Sequence, residues 1–513
     1  MSKKLLKSTA VVGTMTFVSR VSGLIRDVVI ANMIGTGAMA DAFFVAFRIP
    51  NFLRRIFGEG AFSQAFIPVF TELRAKDDIQ ARQFVNHMAG QLGLVVFVLS
   101  VAGTLFAPWL VKLFAYGYVD QPEKLIAATD ALRIMFPYLF CISMVAMSGA
   151  MLNTIGDFAV PAFTPVLLNI ALIIAALWLA PNMQSAASAL AFGVLFGGIA
   201  QLFFQMPFLL KKELLPKPKL GPQEASTRVF KLMVPAMFGI SVAQINVLVG
   251  TLLASFLVTG SVSWLYYSDR LMEFPIGVFG IALATVVLPS LAKVHSSGSA
   301  EAFSELLDWA LRWVILIALP ACIALILLAT PLVSSIYQLS SVFSANDVAM
   351  AANALVAYSV GVVGIILVKV LAPGFYARQD IKTPVRIGVI AMLVNIGLSI
   401  VLVQWLAHVG LALSVSLAAW VNAGLLYRRL VRDKIYRPLS GWFTFIAKVI
   451  LACLAMAVFL WWLSAPASVW VAAGVAERLV WLLGLVVGGI GIYFGVLYAL
   501  GLRPAGLLLK PSA

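Results

Sequence analysis

Apolar residues fill this chain in long blocks separated by short polar breaks. Fourteen blocks can be traced, at approximately 8–34, 39–70, 84–111, 127–153, 159–181, 186–210, 228–258, 263–292, 303–337, 347–376, 384–407, 409–427, 442–464 and 477–500. Each far exceeds the roughly 10 residues of a barrel strand and reaches the roughly 20 that a membrane-crossing helix needs. The pattern therefore predicts an all-α integral membrane protein with fourteen transmembrane helices. The weakest division lies between blocks eleven and twelve, where only Ala407, His408, Val409 and Gly410 intervene. Composition agrees with the pattern: 62% of residues are hydrophobic and 11% charged, against about 25% charged in a soluble domain.

The breaks carry the orientation. One alternating set of breaks holds Lys3, Lys4, Lys7, Arg74, Lys76, Arg82, Lys211, Lys212, Lys217, Lys219, Arg228, Lys231, Lys293, Arg378, Lys382, Arg386, Arg428, Arg429, Arg432, Lys434, Arg437, Arg503 and Lys510. The other holds Lys112, Lys124 and Arg478. A split of 23 to 3 places the first set in the cytoplasm by the positive-inside rule. Both termini are then cytoplasmic. The net charge of +15 is a membrane-orientation signal and does not call for nucleic acid. The start, MSKKLLK, has the charge of a signal peptide. Arg20, Arg26 and Asp27 then interrupt the apolar run, so it reads as a retained first helix.

The longest cytoplasmic break, KKELLPKPKLGPQEASTR from Lys211 to Arg228, is Pro-rich and basic, as linkers are. On either side the sequence repeats. Arg48, Phe52, Phe57 and Gly58 recur as Arg270, Phe274, Phe279 and Gly280; Asp157 and Pro161 recur as Asp380 and Pro384; Asn169-Ile170 recurs as Asn395-Ile396. Nearly constant offsets predict a duplicated six-helix lobe. An even span number per lobe relates the copies by a pseudo-two-fold along the membrane normal, with a substrate site expected at the lobe interface. The expected organisation is 1–220 as the N-lobe, 221–435 as the C-lobe, and 436–513 as two added spans and a tail.

Charge inside the spans indicates the chemistry. Of 36 Lys and Arg residues, ten fall within apolar blocks: Arg20, Arg26, Arg48, Arg54, Arg55, Arg133, Arg270, Arg312, Lys369 and Lys448. Each costs roughly 2.5–3.5 kcal/mol at the bilayer centre. In the first two spans five arginines face three acids, Asp27, Asp41 and Glu59; span eight adds Asp269, Arg270 and Glu273. Some of these are expected to be structural ion pairs. The arginine surplus calls for an external anion, and guanidinium suits phosphate. Helical phase puts Asp41, Arg48, Arg55 and Glu59 on one stripe, though Pro50 disturbs that phase. Arg133, Arg312 and Lys448 are expected to snorkel.

Enzyme chemistry is not legible. Cys141, Cys322 and Cys453 are scattered through apolar spans and read as buried thiols. His87, His295 and His408 show no metal-ligand spacing. No GxxxxGK[ST] loop is present. No catalytic residue, cofactor or metal is expected.

The segments SRVSGLIRD (19–27), DAFFVAFRIPNFLRRIFGEGAFSQAFIP (41–68), SWLYYSDRLMEFP (263–275) and LAPGFYARQDIKTPV (371–385) closely resemble the MurJ/MviN family of the MOP transporter superfamily. The resemblance implies a flippase without covalent chemistry. Its substrate would be lipid II, the undecaprenyl-diphosphate-linked disaccharide-pentapeptide of peptidoglycan biosynthesis, moved from the cytoplasmic to the outer leaflet of the bacterial inner membrane. By motif it implies substrate-binding roles for Arg20, Arg26, Arg54 and Arg270, with Ser19, Asp41 and Glu59 as further functional positions. Arg55, Asp27, Asp269 and Glu273 complete the candidate set from the residues themselves. The resemblance also implies a groove for the lipid tail on spans 13 and 14, and the cell-wall synthesis machinery as a partner. A sodium site found in some family members uses acids on spans 7 and 11, and this chain has none there. The competing readings are a flippase for another polyprenyl-diphosphate-linked saccharide, a multidrug exporter of the same superfamily, and a membrane-embedded glycosyltransferase. A basic cavity argues against an exporter of cations, and short outer loops argue against the glycosyltransferase.

Overall fold

The computed structural model describes residues 3–55 and 61–502. In chain order the helices are α1 (Lys3–Met33), α2 (Ala38–Arg54), α3 (Ala61–Lys76), α4 (Asp78–Leu105), α5 (Ala107–Phe114), α6 (Pro122–Met135), α7 (Tyr138–Thr154), α8 (Ala159–Ile174), α9 (Ala186–Lys211), α10 (Glu224–Ser255), α11 (Ser261–Pro275), α12 (Ile281–Ser296), α13 (Ala300–Leu327), α14 (Ala329–Tyr337), α15 (Ala345–Ser359), α16 (Val362–Tyr376), α17 (Lys382–Arg432), α18 (Trp442–Leu463), α19 (Ala467–Ala472) and α20 (Val475–Ala499). Ten helical stretches among the described residues are long and apolar enough to cross a membrane. The chain is a multi-pass helical membrane protein.

Two of the expected blocks merge. α17 runs for 51 residues, about 77 Å at 1.5 Å per residue, more than twice a roughly 30 Å hydrocarbon core. It breaks at Ala407, where φ is 46° and ψ is −129°. That is the division the sequence marked only faintly. Helix starts follow their caps: Asp77 accepts from the Ile79 amide (2.8 Å), and Ser344 with Asp347 forms a capping box at α15.

The residues divide into two compact units, Met1–Ser263 and Trp264–Ala513. The first therefore holds α10 in addition to the helices before the linker. Its core is a ladder of buried phenyl rings, Phe62, Phe66, Phe70 and Phe84, with successive centroids 5.0, 5.4 and 6.5 Å apart. α10 packs on α3, and α1 on α8. The linker is no free tether. The Lys219 amide donates to the Asn86 carbonyl (2.9 Å), the Lys217 amide to Asn86 Oδ1 (2.7 Å), and Gln91 Nε2 to the Gly221 carbonyl (2.6 Å). Gly90 permits this approach, since a Cβ there would lie 2.2 Å from the Lys219 carbonyl oxygen. Alternating proline and polar residues gave no sign that this segment would be laid along α4.

In the second unit, α18 and α20 pair and dock on α13, burying Val449, Met456, Leu460, Leu485 and Leu497 around Leu316. Two polar clasps fasten them. At one end Asp308 accepts from Tyr436 Oη (2.7 Å), Trp442 Nε1 (2.7 Å) and the Leu439 amide (3.1 Å). Arg312 pairs with it at 2.7 Å and stacks over Trp442. Burial and the Asp308 hydrogen bond push the Tyr436 phenol well above its ordinary range. Arg312 was expected to snorkel; it is instead the cationic half of this clasp. At the other end Arg478, 6% exposed, donates to the carbonyls of Ala473, Ser334, Gln338 and Val471.

Candidate functional site

α1 carries the first candidate residues. Arg26 donates through Nε and Nη2 to Asp27 Oδ1 (2.9 and 2.7 Å), and through Nη1 to Asn169 Oδ1 on α8 (3.0 Å). Asn169 in turn donates to the Ser19 carbonyl (3.2 Å) and to Ser22 Oγ (2.8 Å). Ser19, Arg26 and Asp27 are thus gathered around one buried amide. Arg20 and Asp27 share a helical face, yet the carboxylate pairs with the adjacent Arg26. Arg20 is exposed and has no hydrogen-bond or ion-pair partner among the described residues.

α2 carries the second group. Arg48 donates to Thr251 Oγ1 of α10. Arg54 folds back on its own helix, with Nε and Nη2 on Asn51 Oδ1 (3.0 and 2.8 Å). Arg55 reaches across to Gln244 Oε1 of α10 (3.5 Å). The three guanidiniums thus receive hydroxyl or amide oxygens. Glu59 lies outside the described residues.

Asp41 sits apart from these arginines in a latch at the start of α2. It is 1% exposed. It accepts from the Gly260 amide (2.7 Å), the Ser263 amide (3.0 Å) and Ser263 Oγ (2.7 Å), with Lys124 Nζ at 3.6 Å. Lys124 was counted among the outer loop cations; it is in fact 3% exposed and lies over the Tyr118 ring. The latch ties α2, α6 and the first turn of α11 together.

In the second unit Arg270 pairs with Glu273 one turn on (2.8 Å) and lies 4.9 Å from the Tyr266 ring centroid. Asp269 is part-buried beside it in sequence. Below them the helix changes pitch: Pro275 ends α11 and Ile276–Gly280 form a π-turn before α12. Five glycines of α20 were expected to shape a groove. A Cβ at Gly488 or Gly489 would meet Phe459 or Leu460 of α18, so these two serve helix packing, while Gly484, Gly491 and Gly495 face open space. Phe459, Gly488, Gly491, Ile492, Gly495 and Val496 line an apolar groove of about 510 Å³.

Sequence reasoning missed Asn169, Asn51, Gln244 and Thr251 as partners of the arginines. Asn169 carried a signal, since it belongs to the internal repeat. The others are isolated polar residues in apolar helices, and such residues in a membrane mark interior faces.

Comparison with known proteins gives the family. Residues 30–481 match the family described as lipid II flippase MurJ. The chain is 45% identical over 511 residues to a probable lipid II flippase MurJ of Vibrio cholerae, covering 98% of this chain and 97% of that one. It is 41% identical over 509 residues to the lipid II flippase MurJ of Burkholderia cenocepacia, covering 98% of each. A solved lipid II flippase MurJ in an inward closed conformation superposes with a TM-score of 0.78 at 26% identity, over 95% of this chain and 99% of that one. An inward-facing multidrug MATE transporter of the MOP superfamily shares the fold at a TM-score of 0.67 and 14% identity, over 83% of this chain and 98% of that one. The chain belongs to the MurJ family of lipid II flippases.

Proposed function

We propose that this protein moves lipid II from the cytoplasmic to the outer leaflet of the bacterial inner membrane by alternating access, with fourteen spans and both termini in the cytoplasm. The observation that carries the reading is the state of two intramembrane arginines. Arg48 donates to the neutral Thr251 hydroxyl, and Arg20 is exposed without a partner among the described residues. Such cations are open to an external anion. A diphosphate is a compact anion with several acceptor oxygens, suited to bidentate guanidinium contacts. Arg20, Arg26, Arg54 and Arg270 hold it in this reading. Ser19 and Asp27 position the first two of these, and Asp269 and Glu273 orient Arg270. Asp41 serves the latch that holds the outer end of α2. The apolar groove of α18 and α20 takes the polyprenyl tail, which never needs to leave apolar surroundings. No bond is made or broken.

The test is complementation in cells depleted of the native protein. Arg20→Ala, Arg26→Ala, Arg54→Ala and Arg270→Ala are each expected to insert at normal levels and fail to support growth. Each is also expected to leave lipid II inaccessible from outside. Full complementation by the triple Ala variant of Arg20, Arg26 and Arg54 would contradict the proposal.

A further inference from the structure

Lys369 lies in the middle of α16, seven residues from each end. Neither α16 nor the neighbouring α12 contains an Asp or Glu. Among the described residues Lys369 has no ion-pair or hydrogen-bond partner. It is part-buried, and its inner helix end is about two turns away. A cation so placed costs free energy unless something outside the fold compensates it.

Its stem is not directed along α16 toward the headgroup layer. An ideal Cβ on Gly280 would lie 3.1 Å from Lys369 Cδ and 3.4 Å from Ile366 Cγ1. The lysine chain therefore runs over bare backbone at the end of the Ile276–Gly280 π-turn. π-turns of this kind recur at functional sites. Pro275 forces the change of pitch and Gly280 clears the space, so two features of the neighbouring helix accommodate one unpaired lysine.

We propose that Lys369 is a second anion contact for the transported headgroup, taking a carboxylate of its peptide stem. The inference rests on the lipid II reading. Arg270 and Gly280 are ten residues apart on nearly continuous helix, about 15 Å. A diphosphate held at Arg270 does not span that distance, whereas a disaccharide carrying a pentapeptide does. The residue types agree: guanidinium matches phosphate through a planar fork, and an ammonium serves a single carboxylate as a point charge.

The experiment uses the full chain in lipid nanodiscs and two probes. One is lipid II; the other is undecaprenyl-diphosphate-disaccharide without the peptide. Lys369→Gln is expected to weaken lipid II binding about tenfold, as loss of a charge-assisted contact does, and to leave the peptide-free probe unchanged. Lys369→Arg should bind both as the wild type does, and Arg270→Ala should weaken both. Equal weakening of the two probes by Lys369→Gln would place the contact on the diphosphate and overturn the assignment. No weakening of either, with wild-type protein binding both, would overturn the contact alone. A wild-type protein that binds neither probe would overturn the lipid II reading, and this contact with it.

Discussion

At the scale of single residues, the latch shows how a buried charge is compensated. Asp41 and Lys124 are both almost wholly buried, and three donors from Gly260 and Ser263 complete the carboxylate's shell. Removing one partner of such a pair costs about 3–5 kcal/mol, because the other charge is left buried. Lys124→Met is therefore expected to lower thermal stability strongly in detergent. Adding Asp41→Asn should recover part of the loss, since no charge is then left buried and the amide oxygen still accepts from Ser263. Additive losses in this double-mutant cycle would show that the two groups do not interact. The arginines' partners include the neutral side chains Asn169, Asn51, Gln244 and Thr251, and Arg26 also pairs with Asp27. The surplus of arginine over acid was legible in the sequence because charges are rare in apolar blocks. The neutral partners were not, because an amide in an apolar helix is chemically unremarkable until its neighbour across the bundle is known. The Asp27 pairing was hidden for another reason. Helical phase judged which face a residue occupies, but a guanidinium folds back onto the carboxylate next to it.

At the scale of helices, hydrophobic blocks predicted most elements well, since length and polarity alone decide what can cross a bilayer. Their internal breaks were harder to see. The Ala407 kink and the π-turn at Ile276–Gly280 interrupt blocks whose apolar character continues through them, so periodicity gives no warning. The linker is the clearest departure. Its composition suits a free tether, yet Asn86 and Gln91 hold it along α4, with Gly90 allowing contact. Gly90→Val is expected to lift the strap, because the added side chain occupies the position of the Lys219 carbonyl. Trypsin applied to inside-out vesicles should then cut after Lys219 many-fold faster than in the wild type. An unchanged cutting rate would show that the strap tolerates displacement of its backbone.

At the scale of the whole molecule, orientation and cargo are linked, because the direction of transport is defined only once the cytoplasmic face is known. Gly37 is exposed, with open space around its Cα, and Lys217 is exposed on the strap. In a background lacking Cys141, Cys322 and Cys453, Gly37→Cys should react with an impermeant thiol reagent added outside. Lys217→Cys should react only after the membrane is opened. The reverse pattern would invert the topology. The loop charges predict this orientation because they act during insertion, before any tertiary contact forms. The internal repeat likewise predicts a duplicated architecture, and gives no sign that α10 packs with the helices before the linker. The central claim is that this chain carries lipid II across the membrane. It is tested most directly by depleting the protein and adding, to intact cells, an enzyme that cleaves lipid-linked diphosphates from outside. The account predicts that lipid II accumulates and becomes protected from cleavage, with protection lost when the membrane is opened. Cleavage in intact depleted cells at the rate seen before depletion would contradict it.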